Sequence, residues 1–166
     1  MRVLSLFAVL LLLPGCGALG GLFGGGSALS AIEVAGRYEF TEYEIDPVAG
    51  SVDDRNLLGR EVSRDLTILL TEGGEARLER LSGDTVGETL GTGTYTISGR
   101  AVAVRFRRVG DAANVLMPRA IEFEGGNGRL RAEVFLEAVD LEAVSSEYSG
   151  ITRADIRLKL GLREID

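Results

Sequence analysis

The sequence predicts an all-β domain: an antiparallel meander of about eight strands closed into a small barrel, preceded by an N-terminal signal segment and a glycine-rich tether. Three observations carry the prediction. From Ile32 onward apolar and polar residues alternate with the period of two that half-buried strands require. Glycine-rich turn signals punctuate that alternation at short intervals. Most connections are too short for anything but neighbouring antiparallel strands. The chain divides accordingly into residues 1–15, 16–31 and 32–166.

Arg2 supplies a positive start, and Val3 to Leu13 supply an apolar run interrupted only by Ser5. That run suits a secretory signal and is short for a membrane-spanning helix. The stretch Leu13-Pro14-Gly15-Cys16 follows, with the only cysteine in the chain, which therefore makes no internal disulfide. From Gly17 to Ser30 the sequence GALGGLFGGGSALS reads as a flexible tether whose Leu19, Leu22 and Phe23 could also rest on a membrane or on the domain. An uncleaved anchor is the alternative reading of the uncharged stretch Val3–Ala31, but Pro14 and the glycines between Gly15 and Gly26 make a poor helix of its second half.

Within the domain, strands are expected near residues 36–45, 62–71, 75–82, 86–98, 101–109, 115–124, 129–137 and 154–164. Tyr95 and Ile97 share one face against Thr94 and Thr96, and Val102, Val104 and Phe106 alternate with Ala103, Arg105 and Arg107. Leu130, Ala132, Val134 and Leu136 share a face, as do Ile156, Leu158, Leu160 and Leu162. Turns are expected at Gly73-Gly74, Gly83-Asp84, Ser98-Gly99 and Gly125 to Gly128. Only 46–60 and 138–152 are long connections. The second holds either a short helix with Leu141, Val144 and Tyr148 on one side or an extension of the preceding strand. Closure removes both sheet edges; a two-sheet sandwich, the alternative, needs longer crossovers.

Composition excludes several functions. Histidine is absent, which removes the commonest general acid/base and metal ligand. The formal charge is −7 and no run of Lys or Arg is present, so nucleic acid is not an expected partner. Ser145, Ser146 and Ser149 lack an obvious base, and no glycine-rich loop cradles a phosphate. Neither an enzyme nor a cofactor is expected. Acids cluster at Glu39, Glu42, Glu44 and Asp46, at Asp53 and Asp54, and at Glu137, Asp140, Glu142 and Glu147, without the spacing of a calcium loop; they read as solvated surface charge, and no metal is expected.

Arg119 shares the parity of Val115, Met117, Ile121 and Phe123, which would turn it inward to clamp the carboxylate of a bound amphiphile. The alternative is that Pro118 interrupts the strand and releases Arg119 to solvent, or that a glutamate pairs with it. Arg108 follows Phe106 in phase but sits at a strand end, where a rim position is the simpler reading.

Two resemblances add to this reading. Leu13-Pro14-Gly15-Cys16 resembles the lipobox of bacterial lipoprotein precursors, although Pro14 is unusual at its place. The resemblance implies cleavage before Cys16, a diacylglycerol on its thiol and attachment to a cell-envelope membrane. Gly17 is not the aspartate that retains some lipoproteins at the inner membrane, which points to the periplasmic face of an outer membrane in a Gram-negative organism that sorts by that rule. Gly36-Arg37-Tyr38 and the GTYTISG strand resemble the lipocalin-like, or calycin, barrels. From these follow two readings. One is a carrier that buries a small apolar or amphipathic ligand, such as a fatty acid, among Tyr38, Phe40, Tyr95, Phe106, Ile121, Phe123 and Leu158. The other is a ligand-free, filled barrel that acts on an envelope protein partner as scaffold, assembly factor or inhibitor, through exposed Phe135 and the segment 138–150 with Tyr148.

Overall fold

The computed structural model describes residues 28–50, 52–109 and 116–165. The signal segment, Cys16 and most of the tether lie outside them. Among the described residues nine strands form one sheet: β1 (Gly36–Pro47), β2 (Arg55–Asn56), β3 (Leu66–Leu70), β4 (Glu75–Ser82), β5 (Thr85–Ser98), β6 (Ala101–Val109), β7 (Ala120–Gly126), β8 (Arg129–Val139) and β9 (Ala154–Ile165). All ladders are antiparallel. β1 pairs with β9 from Arg37↔Ile165 to Pro47↔Ile156, closing an eight-stranded meander barrel. The short β2 is an extra strand against the far end of β1, Glu44↔Asn56.

Inside the barrel the alternation is maintained by bulges. In β1 the inward positions are Tyr38 and Phe40, then Tyr43 and Ile45; a register shift between Phe40 and Glu42 switches the parity and adds curvature. A second shift at Thr92/Gly93 lets Leu90 and Tyr95 both point inward on β5. A side chain at Gly93 would put its Cβ 2.1 Å from the Arg105 carbonyl oxygen, so that crossing admits only glycine.

Both ends are covered. At one, Leu29 N–H donates to Gly99 O (2.8 Å) and the helical turn α1 (Ala31–Val34) buries Val34; Ser30 and Glu33 form the capping box that starts the turn. At the other, Leu57 and Val62 from the 46–60 connection and its flank are fully buried, as is Leu141 of the helical turn α2 (Leu141–Val144). The 138–152 connection therefore combines both expectations, strand to Val139 and helix afterwards, with a 3-10 turn at Ser146–Tyr148.

The expected strand boundaries shift in two places. The strand expected from 62 begins only at Leu66, because residues 57–63 fold back on themselves through Val62 N–H to Leu57 O (3.0 Å). The strand expected from 115 begins at Ala120, just beyond Pro118, which carries no N–H for a ladder. Turn chemistry matches expectation: Gly74, Gly83, Gly99, Asn127 and Gly128 all take positive φ.

Gly93→Ala is expected to cost about 1–3 kcal/mol by forcing β5 and β6 apart. Urea unfolding checks this, with Gly87→Ala on the same strand as a milder comparison.

Candidate functional site

The residues expected to line a ligand cavity all reach the interior. Tyr38, Phe40, Tyr95, Phe106, Ile121, Phe123 and Leu158 are between 0% and 6% exposed. Around them lie Tyr43, Ile45, Leu66, Ile68, Leu70, Leu78, Val102, Val104, Ile156 and Leu160, also buried. A lumen that admitted water would give its lining residues accessible surface; these side chains have almost none. Phe40 and Tyr43 pack ring to ring at 5.4 Å, tilted by 54°.

The four tyrosine hydroxyls are used within the fold. Tyr38 donates to Val34 O (2.9 Å) and fixes α1; Tyr95 donates to Thr71 O (2.7 Å) in the β3–β4 turn. Tyr43 donates to Leu116 O (2.5 Å), drawing the segment before β7 onto the core, and Tyr148 donates to Asp53 O (3.4 Å). Burial pushes the Tyr38 phenol up to about 12, with the Glu164 carboxylate adding to it, and raises Tyr43 strongly through burial alone. Burial also raises Tyr95 and Tyr148.

Arg119 does not share the inward direction of Ile121 and Phe123. It is exposed at the bend after Pro118, and its carbonyl accepts from Phe106 N–H (2.8 Å). Position 119 precedes the first residue of β7, so strand parity does not govern it. The Arg108 side chain and Cys16 fall outside the described residues. Phe135 is 55% exposed on the outer face of β8, as its phase predicts. Tyr148, expected on the surface, is instead 5% exposed, and its hydroxyl reaches Asp53 O in the 46–60 connection.

Four of the acids expected to be solvated, Glu39, Glu44, Asp46 and Glu147, are held in ion pairs. Glu44 (2.8 Å) and Asp46 (3.2 Å) hold Lys159, and their hydrogen bonds raise its ammonium above the usual lysine range. Glu39 pairs with Arg163. Glu147 binds Arg55, whose Nε lies 3.9 Å from Glu61; Ser145 Oγ donates to the same Glu61. This network joins the two long connections across the end of the barrel. A second pair, Arg37 with the buried Glu79 (2.5 Å), sits over Thr67 on the outer face of β1, β3 and β4. Alternation carries no sign of either network, whose partners are brought together only by strand register.

A groove of about 590 Å³ runs along β7, β8, β9 and β1, with Ala132 and Leu160 among its lining. Glu42, Glu122, Glu124 and Glu133 line it together with Arg131 and Lys159. It lies where β7 and β8 stop pairing: their ladder runs only from Gly126↔Arg129 to Glu124↔Arg131. No protein-family model and no curated protein sequence matches the chain.

Two outcomes are expected. Tyr38 and Tyr43 have folded pKa values above their unfolded value near 10, so the folded state retains their protons longer. Their contribution is fully present below pH 10 and is lost as pH rises through the folded values. Urea unfolding should therefore show stability falling from pH 10 upward, with a shallower fall in Tyr38→Phe and Tyr43→Phe. Arg37→Met should cost about 3 kcal/mol by stranding the Glu79 carboxylate, and adding Glu79→Gln should recover part of that loss.

Proposed function

We propose that this chain is a lipid-anchored protein of the cell envelope whose barrel is filled by its own side chains and which acts through its outer surface on a protein partner. The observation that carries the reading is the burial of the inward side chains, from Tyr38 at one end to Ile156 at the other, under end caps made by Val34, Leu57, Val62 and Leu141. A carrier commits inward area to its cargo; here that area is committed to neighbouring side chains. The tyrosine hydroxyls that could hold a polar head already donate to backbone carbonyls. The lipobox-like Leu13-Pro14-Gly15-Cys16 supports the anchor, with Cys16 as its acylated residue and a cell-envelope membrane as its destination. The resemblance to lipocalin-like barrels enters as architecture, without their ligand. Catalysis and metal binding are no part of this reading.

One observation favours a second reading, the carrier of a small apolar molecule. Ala132, Val134 and Leu136 on β8 point inward but are only half-buried, so core apolar surface meets solvent on that side.

Native mass spectrometry of the full chain, released from detergent after challenge with palmitate and phospholipid, separates the two. The filled barrel predicts the protein with its covalent acyl groups on Cys16 and nothing else. A further adduct with the mass of the offered lipid, lost on unfolding, would replace it with the carrier. A chain without acyl mass on Cys16 would remove the anchor while leaving the barrel reading intact.

A further inference from the structure

Between β7 and β8 the wall of the barrel is unzipped into a seam over part of its length. Among the described residues, Ala120–Phe123 of β7 has ladder partners only on β6, and Ala132–Leu136 of β8 only on β9. Two strand edges thus face each other without bonding. Unpaired edges are strong templates for another strand, and proteins normally cover or blunt them. Here the seam is dressed differently on its two faces. Toward the core lie the half-buried Ala132, Val134 and Leu136. Toward solvent lie Glu122, Glu124 and Glu133, with Glu42 across the groove and Phe135 more than half exposed beside them.

We infer that the seam receives an extended segment of a partner protein as an added strand on the free edge of β8, with apolar residues turned inward and lysine or arginine turned outward. This rests on the surface-acting reading above and names its surface. Strand addition provides main-chain hydrogen bonds for affinity and alternate side chains for selectivity. The inward residues would cover Val134 and Leu136. The outward cations would meet the glutamates, and one would lie over the Phe135 ring. Charge complementarity selects the occupant. Lys159 is already engaged by Glu44 and Asp46, and Arg157 lies within 4 Å of Asp46 (3.6 Å) and Glu133 (3.8 Å). Arg131 stands directly across from Glu124. The groove therefore keeps an excess of carboxylates. A second copy of this chain would bring the same acidic face against itself, which like-charge repulsion opposes.

Hydrogen exchange on the full chain in detergent tests the inference, with a short capped peptide of alternating lysine and valine as the probe. Controls are the same peptide with alternate peptide nitrogens methylated, a glutamate–valine counterpart, and palmitate. The expected result is slowed exchange at Ala132–Leu136 with the lysine peptide. Affinity should fall about tenfold in Glu122→Gln/Glu124→Gln and fall further at high salt, as contacts between opposite charges require. The methylated and acidic peptides should bind weakly or not at all. Equal binding by the methylated peptide, or binding without protection at Ala132–Leu136, would overturn strand addition and leave only surface charge attraction. Absence of binding would overturn the seam as a docking site while the filled-barrel reading stands. Protection of Val104, Ile121 and Leu158 by palmitate would overturn the filled-barrel reading itself, whatever the peptide does.

Discussion

The pairing of β1 with β9 is the constraint on which the rest of the structure depends. Once the first and last strands of a meander are bonded along their length, half of every strand's residues are confined to one small interior. What those residues are then decides whether the interior is a container or a core. In this chain they are tyrosines, phenylalanines and branched aliphatics, with bulges at Phe40/Glu42 and Thr92/Gly93 turning them inward where simple alternation would have turned them out. Closure thus yields a core, continuous from the α1 cap to the Leu57–Val62–Leu141 cap.

Polar chemistry follows from the same closure. Tyr38, Tyr43 and Tyr95 can be buried because each hydroxyl finds a backbone carbonyl in a connecting segment, so each ring packs in the core while its oxygen pins a turn. Charged residues are displaced to the outer face, where strand register lines up opposite signs, as in Lys159 between Glu44 and Asp46. The outer face of β7 and β8 departs from this balance, and it is also where the ladder ends. On this surface an acidic groove runs along the part of β8 that has no ladder partner on β7.

Much of the architecture was legible in the sequence, because alternation is a local signal and strands of a meander pair with their neighbours. Strands β4 and β6 begin and end where alternation places them, and the glycine turns between them take the positive φ their residues allow. For Arg119 the sequence left two readings open, inward by parity with Ile121 or released to solvent by Pro118, and the second holds because the strand begins only at Ala120. Legibility failed where contacts come from far along the chain. Phase could not reveal that Tyr148 is buried, because its cover comes from residues near Asp53. Likewise Arg55 and Glu147 meet across 92 residues of chain, a pairing that only the closed fold creates. The residues proposed for a cavity were correctly read as inward; whether inward residues touch one another or leave space is a matter of volume, which period cannot encode.

The decisive quantity is therefore the space inside the barrel, and xenon uptake measured by NMR on the full chain reads it directly. Xenon enters dry apolar cavities of ligand size and finds no place in a close-packed core. A filled barrel predicts no saturable shift of the Val104, Ile121, Leu158 or Leu160 methyls in the native protein, and a clear shift in Phe123→Ala, where the missing ring leaves a void. Saturable shifts of those methyls in the native protein would contradict the filled core and return the barrel to the class of containers.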